Sequence, residues 1–351
     1  MKKIMVLFTG GTIGSKNDNG KVSVHDAGSY TLIEAYSSAG ARGDVTFDTK
    51  QPLNLLSENL VPDDWNTLKT ALDQIDLSEY DGVIVTHGSD TLAFSAAMIS
   101  YLFADTARPI ILVAANYPIG DPRSNGVANF AAAVDFIVGE GLPGVFVVYR
   151  DDKETMNVYL GTRITQAVSF TDQFGSPYEL VYGEMKDGTF LPKVHPYNPQ
   201  VEELRNRKPA EGGKAVRSAE LRAGLLYIKP FTGLDYSYYR FDEHAPKAVL
   251  HDLYHSGTAS ANAPGGHSLL QFAEYCAAHG VDLYLCPLKD RSEALYASSV
   301  SLIEAGVVFI ENMSAEATLM KLTLAYALFD THEEVRRFVC DTPLFYEEVR
   351  Q

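Results

Sequence analysis

The sequence predicts an α/β protein of two doubly wound domains, and three observations carry that prediction. Short apolar runs alternate with stretches of helical spacing, the alternation occurs twice along the chain, and the chain is longer than one hydrophobic core usually serves. At 351 residues with 46% hydrophobic content, it has the material for two cores.

Taken in order, the first half opens on an apolar run at 4–8, with further runs at 82–86, 110–114 and 144–149. Each is short and bounded by turn residues, as strands are. Between them, 63–75, 91–102 and 126–138 repeat apolar residues at helical spacing. Strand and helix in strict alternation imply a parallel sheet. From 196 to 222 the composition turns to charge, Gly and Pro, as in Glu202-Glu203-Leu204-Arg205-Asn206-Arg207-Lys208-Pro209. This places a linker at 198–222, between an N-terminal domain at 1–197 and a C-terminal domain at 223–351. The second half then alternates strands near 225–228, 248–253, 282–285 and 307–309 with helices near 268–279, 316–329 and 333–338. Repeats and low-complexity tracts are absent.

Composition excludes several classes of function. A formal charge of −16 disfavours nucleic acid, whose phosphates require basic patches. The three cysteines, Cys276, Cys286 and Cys340, are odd in number and show no metal-ligand spacing, which reads as reduced thiols in a cytosol. Met1-Lys2-Lys3 resembles the start of a secretory signal, but the apolar run behind it is too short for one. No run approaches a membrane span. The expected location is the cytoplasm.

Two motifs stand where strands end. Thr9-Gly10-Gly11-Thr12-Ile13-Gly14 follows the first apolar run, and His87-Gly88-Ser89-Asp90-Thr91 follows the second. The carboxyl edge of an open α/β sheet is where ligands bind, because N–H groups of the following turn and helix point outward there. Two hydroxyl-rich exits suggest one shared site. The first motif lacks the spacing of a nucleotide loop. Taken singly, a Gly-Gly pair is a tight turn, and Thr12 or Ser89 a helix cap.

These residues resemble the two signature motifs of the bacterial-type L-asparaginase/glutaminase family, whose second motif usually reads H-G-T-D-T. The similarity extends through Ser57-Glu58-Asn59 to Trp65, then Pro122-Arg123-Ser124-Asn125-Gly126, then Glu316-Ala317-Thr318-Leu319 with Lys321. It points towards the cytoplasmic type I members. The resemblance implies a larger N-terminal domain with a parallel-rich sheet, a smaller Rossmann-like C-terminal domain, and hydrolysis of L-asparagine to L-aspartate and ammonia without metal or organic cofactor. It makes Thr12 the nucleophile, Ser89 the second hydroxyl and Asp90 its carboxylate partner. Gly11, Gly88, Ser57 and Glu58 would hold the substrate, an amino-acid amide. The protein would be a homodimer or homotetramer with Glu293 reaching a neighbouring subunit's site.

The chemistry suits those residue types. An amide is unreactive, and covalent catalysis by a hydroxyl divides its cleavage into acylation and hydrolysis. N–H groups of a glycine-rich exit loop stabilise the oxyanion.

Departures from the pattern are equally informative. Where the family carries G-x-x-x-T-K, this chain reads Gly161-Thr162-Arg163-Ile164-Thr165-Gln166, so the lysine position holds Gln166, which accepts no proton as an amine does. Ala114-Ala115-Asn116-Tyr117 stands where relatives have T-G-S-Q/M, and His255-Ser256-Gly257-Thr258 where they have a Gly- and Asn-containing turn. The family's lid tyrosine is missing from 16–29. Lys21 stands near its usual spacing, and Tyr30, a few residues beyond, is the candidate. A second class of function therefore stays open: a divergent relative that binds an amino acid, or acts on another amide.

Overall fold

The computed structural model describes residues 1–18, 21–24, 28–40, 42–207, 213–289 and 297–349. They form two compact units. The first is Met1–Leu221 with Leu344–Tyr346, and the second Arg222–Pro343 with Glu347–Arg350.

In the first unit the strands are β1 (Lys2–Phe8), β2 (Ser15–Asp18), β3 (Lys21–Val24), β4 (Val45–Lys50), β5 (Gly82–Thr86), β6 (Pro109–Val113), β7 (Gly144–Arg150), β8 (Met156–Leu160), β9 (Thr165–Ala167), β10 (Phe174–Gly175), β11 (Gly183–Lys186) and β12 (Thr189–Pro192). The helices are α1 (Gly28–Ser38), α2 (Pro62–Asp73), α3 (Leu92–Leu102), α4 (Gly126–Gly139), α5 (Val201–Arg205) and α6 (Gly213–Arg217). One eight-stranded sheet runs β12-β11-β8-β7-β6-β5-β1-β4. From β4 to β7 all pairings are parallel, and from β7 to β12 all are antiparallel.

The apolar runs become the central strands because both faces are covered: β5 and β6 are buried at every residue. Helix α3 is buried at ten of its eleven positions, which explains its almost uniformly apolar sequence. Helix α2 starts on Pro62 with Asp63 and Asp64 in its first turn, and the Asp64 carboxylate accepts from the Val61 N–H at 2.8 Å. It docks on α3 through Trp65, whose ring N–H donates to the buried Ser95 hydroxyl at 2.9 Å.

Two regions depart from the simple alternation. Beyond β7 the sheet continues as antiparallel strands, and the stretch after the first motif folds as the hairpin β2–β3 followed by α1. Of the stretch marked as a linker by its charge, residues 198–207 and 213–221 pack within the first unit. Leu204 and Leu221 are fully buried, Asn66 pairs with both backbone groups of Leu221 at 2.9 Å, and Arg217 pairs with Asp73 and Asp105. Glu202, Glu203 and Arg205 are exposed, while Leu204 between them faces inward.

The second unit contains β13 (Leu225–Ile228), β14 (Ala248–Asp252), β15 (Asp282–Leu288) and β16 (Val308–Glu311), all parallel and in chain order, with α7 (Leu269–Ala278), α8 (Ala297–Glu304), α9 (Ala315–Leu328) and α10 (His332–Asp341). Side-chain hydroxyls cap three of these helices: Ser268 on α7, Ser314 on α9 and Thr331 on α10. Lys321 of α9 and Glu347 form an ion pair at 2.7 Å with both side chains fully buried. All three cysteines are free thiols. No helix among the described residues is long and apolar enough to cross a membrane.

Candidate active site

Strand order decides where a site forms. From β1 the chain moves outward to β4, then returns to the other side of β1 as β5 and continues through β6 to β7. The order therefore reverses at β1, and the exits of β1 and β5 leave the carboxyl edge side by side in the crevice such a reversal opens.

Glycines let three loops meet there. Gly11, at φ +73°, has no room for a side chain: a Cβ would lie 2.6 Å from Gly88 N. A Cβ on Gly88 would lie 2.3 Å from the Ser57 hydroxyl. The exits of β1, β4 and β5 are thus packed backbone to backbone. Hydrogen bonds fix them: Gly11 N–H donates to Leu55 O at 2.9 Å, Leu55 N–H to Thr9 O at 3.1 Å, and the Thr91 hydroxyl to Ser57 O at 3.0 Å. The Thr9 hydroxyl donates to Thr86 O at 2.7 Å, tying the ends of β1 and β5.

Under this junction His87 is fully buried, with Nδ1 2.8 Å from Gly88 O. A carbonyl only accepts, so Nδ1 carries the proton; burial holds the imidazole pKa below its ordinary value and keeps the ring neutral. His87 orients the Gly88 peptide. Thr91 spends its hydroxyl on Ser57 and does not cap α3 with its side chain, leaving the positive end of that helix directed at the same loop.

The arrangement brings together Thr12 and Ser89, both half-buried, with Ser57, which is buried, while the carboxylates of Asp90 and Glu58 are exposed beside them. It offers hydroxyl groups, backbone N–H groups and flanking negative charge at one sheet edge, a combination that can serve acyl transfer.

The family model described as "Asparaginase, N-terminal" matches residues 3–195. The chain belongs to the asparaginase family. Among relatives of this asparaginase-family chain, the L-asparaginase of Thermococcus kodakarensis is 28% identical over 96% of both chains. L-asparaginase 1 of Escherichia coli K12 is 26% identical over 92% of this chain and 90% of its own. A glutamyl-tRNA(Gln) amidotransferase polypeptide from Methanococcus vannielii is 24% identical over 97% of this chain and 78% of its own. The solved structure of the T. kodakarensis L-asparaginase superimposes with a TM-score of 0.81 at 26% identity, covering 99% of this chain and 100% of that one. L-asparaginase I from Vibrio cholerae shares the fold, with a TM-score of 0.76 at 22% identity over 99% of both chains. Membership of the family supports a hydrolase acting on amides.

Three further sequence-predicted residues of this asparaginase-family chain are Gln166, Tyr30 and Glu293. Gln166 is exposed on β9, in the stretch that runs beside α3. Tyr30 falls in the first turn of α1. Glu293 lies outside the described residues. Sequence reasoning missed Leu55, whose backbone bridges the β1 exit; its apolar side chain gives no hint of that role. It also missed Asp172, which accepts a hydrogen bond from Asn116 at the β6 exit.

Proposed function

We propose that the protein is a cytoplasmic, homo-oligomeric L-asparaginase. The observation that carries this reading is the glycine-packed junction, which gathers Thr12, Ser57 and Ser89 at the switch point of the sheet in a chain of the asparaginase family. In this reading Thr12 Oγ attacks the side-chain amide carbon of asparagine, and exit-loop N–H groups stabilise the oxyanion. Ammonia leaves with a proton, and water cleaves the aspartyl ester to release L-aspartate. Ser57 takes the substrate carboxylate, and Asp90 with Glu58 the ammonium. Ser89 is the second hydroxyl that moves protons.

Gln166 favours a second reading. An exposed amide at this position neither takes up nor gives up a proton as an acid or base at neutral pH, which suits binding of an amino acid or turnover of another amide. The test is ammonia release by the purified protein from L-asparagine, beside L-glutamine and other amides. Steady turnover of asparagine supports the hydrolase; saturable binding of asparagine without ammonia supports the second reading and overturns the first.

A further inference from the structure

The hairpin that carries Gln166 is pinned at its second strand. Asn116, just beyond β6, donates from Nδ2 to Asp172 Oδ2 at 2.8 Å, and the Tyr149 hydroxyl of β7 reaches Asp172 Oδ1 at 3.4 Å. Next to Asp172, the Phe174 ring sits edge-on against Tyr149 at 4.8 Å, Phe174 O accepts from the Tyr159 hydroxyl, and Gln173 Nε2 donates to Asp152. Asn116 itself is immobilised. Its Oδ1 accepts from the N–H groups of Asn125 and Tyr117, and its own N–H donates to Asn125 Oδ1, while Asn125 is buried and donates to Arg150 O.

We propose that Asp172 is a positioning residue: through Asn116 and Tyr149 it latches the β9–β10 hairpin to the exits of β6 and β7, and so sets Gln166 at the sheet edge that holds Ser89 and Asp90. Strand β6 neighbours β5, and the His87 N–H donates to Val113 O at 2.8 Å, so the loop that receives the latch adjoins the loop that carries the hydroxyl. Strand β9 pairs with β10 across an irregular register and also runs beside α3, so its placement is tied to that of β10 as well as to the helix. The kinetic part of this inference rests on the proposed asparagine hydrolysis; the latch itself does not.

A polarity swap tests it. Asn116→Asp sets two carboxylates against each other, and kcat should fall between about tenfold and a hundredfold with KM within about threefold, because substrate contacts stay while Gln166 shifts. Amide hydrogen exchange over 165–175 should quicken in the same variant. Adding Asp172→Asn restores the pair with donor and acceptor exchanged, and should return both readouts to within about threefold of wild type. Asp172→Ala should behave as the unrescued single variant. Failure of the double variant to recover, or faster exchange with unchanged kcat, would overturn the positioning role. If the wild type hydrolyses no asparagine, the activity reading fails on its own, and loss and rescue of exchange protection decide the latch.

Discussion

The two larger sheets are built from the same strand-and-helix grammar, yet among the described residues only the first reverses its strand order. In the second unit β13 to β16 lie in chain order, so no pair of exits diverges. In the first unit the order reverses at β1, where such sheets open a crevice. A buried histidine marks a strand end in each. His87 follows β5 and His251 lies on β14, and each presents Nδ1 to the carbonyl of the next residue. Around His251 the polar groups close on one another: Nε2 lies 2.8 Å from the Tyr236 hydroxyl, and the Tyr227 hydroxyl donates to Asp252 at 2.9 Å. After His87 come Gly88, packed against Gly11 and Ser57, and Ser89, which is half-buried. Topology, more than residue type, separates the closed strand end at His251 from the candidate site beside His87.

The largest effect should come from the nucleophile. Thr12→Ala should lower ammonia release by roughly a thousandfold or more with the thermal midpoint unchanged, and Thr12→Ser should keep part of the rate. Wild-type turnover in the alanine variant would move the chemistry away from the switch point and end the contrast between the sheets.

Gln166 sharpens the contrast next. If a missing amine limits proton transfer, turnover at neutral pH is slow, and Gln166→Lys should raise kcat, since general acid–base groups contribute roughly a hundredfold to ten-thousandfold. A lower kcat in a folded variant would show a site rebuilt around the amide.

Glycines allow the same comparison at equal backbone conformation. Gly11 and Gly280 have φ of +73° and +67°, but a Cβ on Gly280 meets nothing within 4 Å, whereas one on Gly11 meets the Gly88 backbone. Gly280→Ala should cost only about 1–2 kcal/mol of conformational strain. Gly11→Ala adds a backbone clash and should both destabilise further and abolish hydrolysis. Equal denaturation midpoints for the two variants would refute tight packing at the junction.

Much of this was legible in the sequence because central parallel strands are continuous apolar runs, and the helices covering them keep their period. Strands β5, β7 and β13 begin where the runs begin. Strand β4, Val-Thr-Phe-Asp-Thr-Lys, escaped because it is an edge strand with exposed polar positions, and β11 and β12 escaped because they are four-residue antiparallel strands with few buried positions. At the site, the exit motifs were readable because glycine is required where backbones touch. The Asn116–Asp172 latch was not, since 56 residues separate its partners and each alone is an ordinary loop residue.

The smallest effect concerns the two histidines. Burial lowers the pKa of both, that of His251 to about 4. A histidine whose folded pKa is depressed takes up its proton in the unfolded chain first, so stability is full above about pH 6.5 and is lost as pH falls towards 4. Between pH 6 and 5 His251 should remove about 1 kcal/mol. Asp252 opposes this at the acid end, because burial raises its pKa and relief of a buried charge favours the fold as pH falls. His251→Gln keeps an acceptor for the Tyr236 hydroxyl without a titrating ring, so urea denaturation should show a smaller acid sensitivity over that interval, with ammonia release at pH 7 unchanged. An undiminished slope would mean that His251 protonates inside the folded unit, and a loss of turnover would mean that the second strand end is not purely structural.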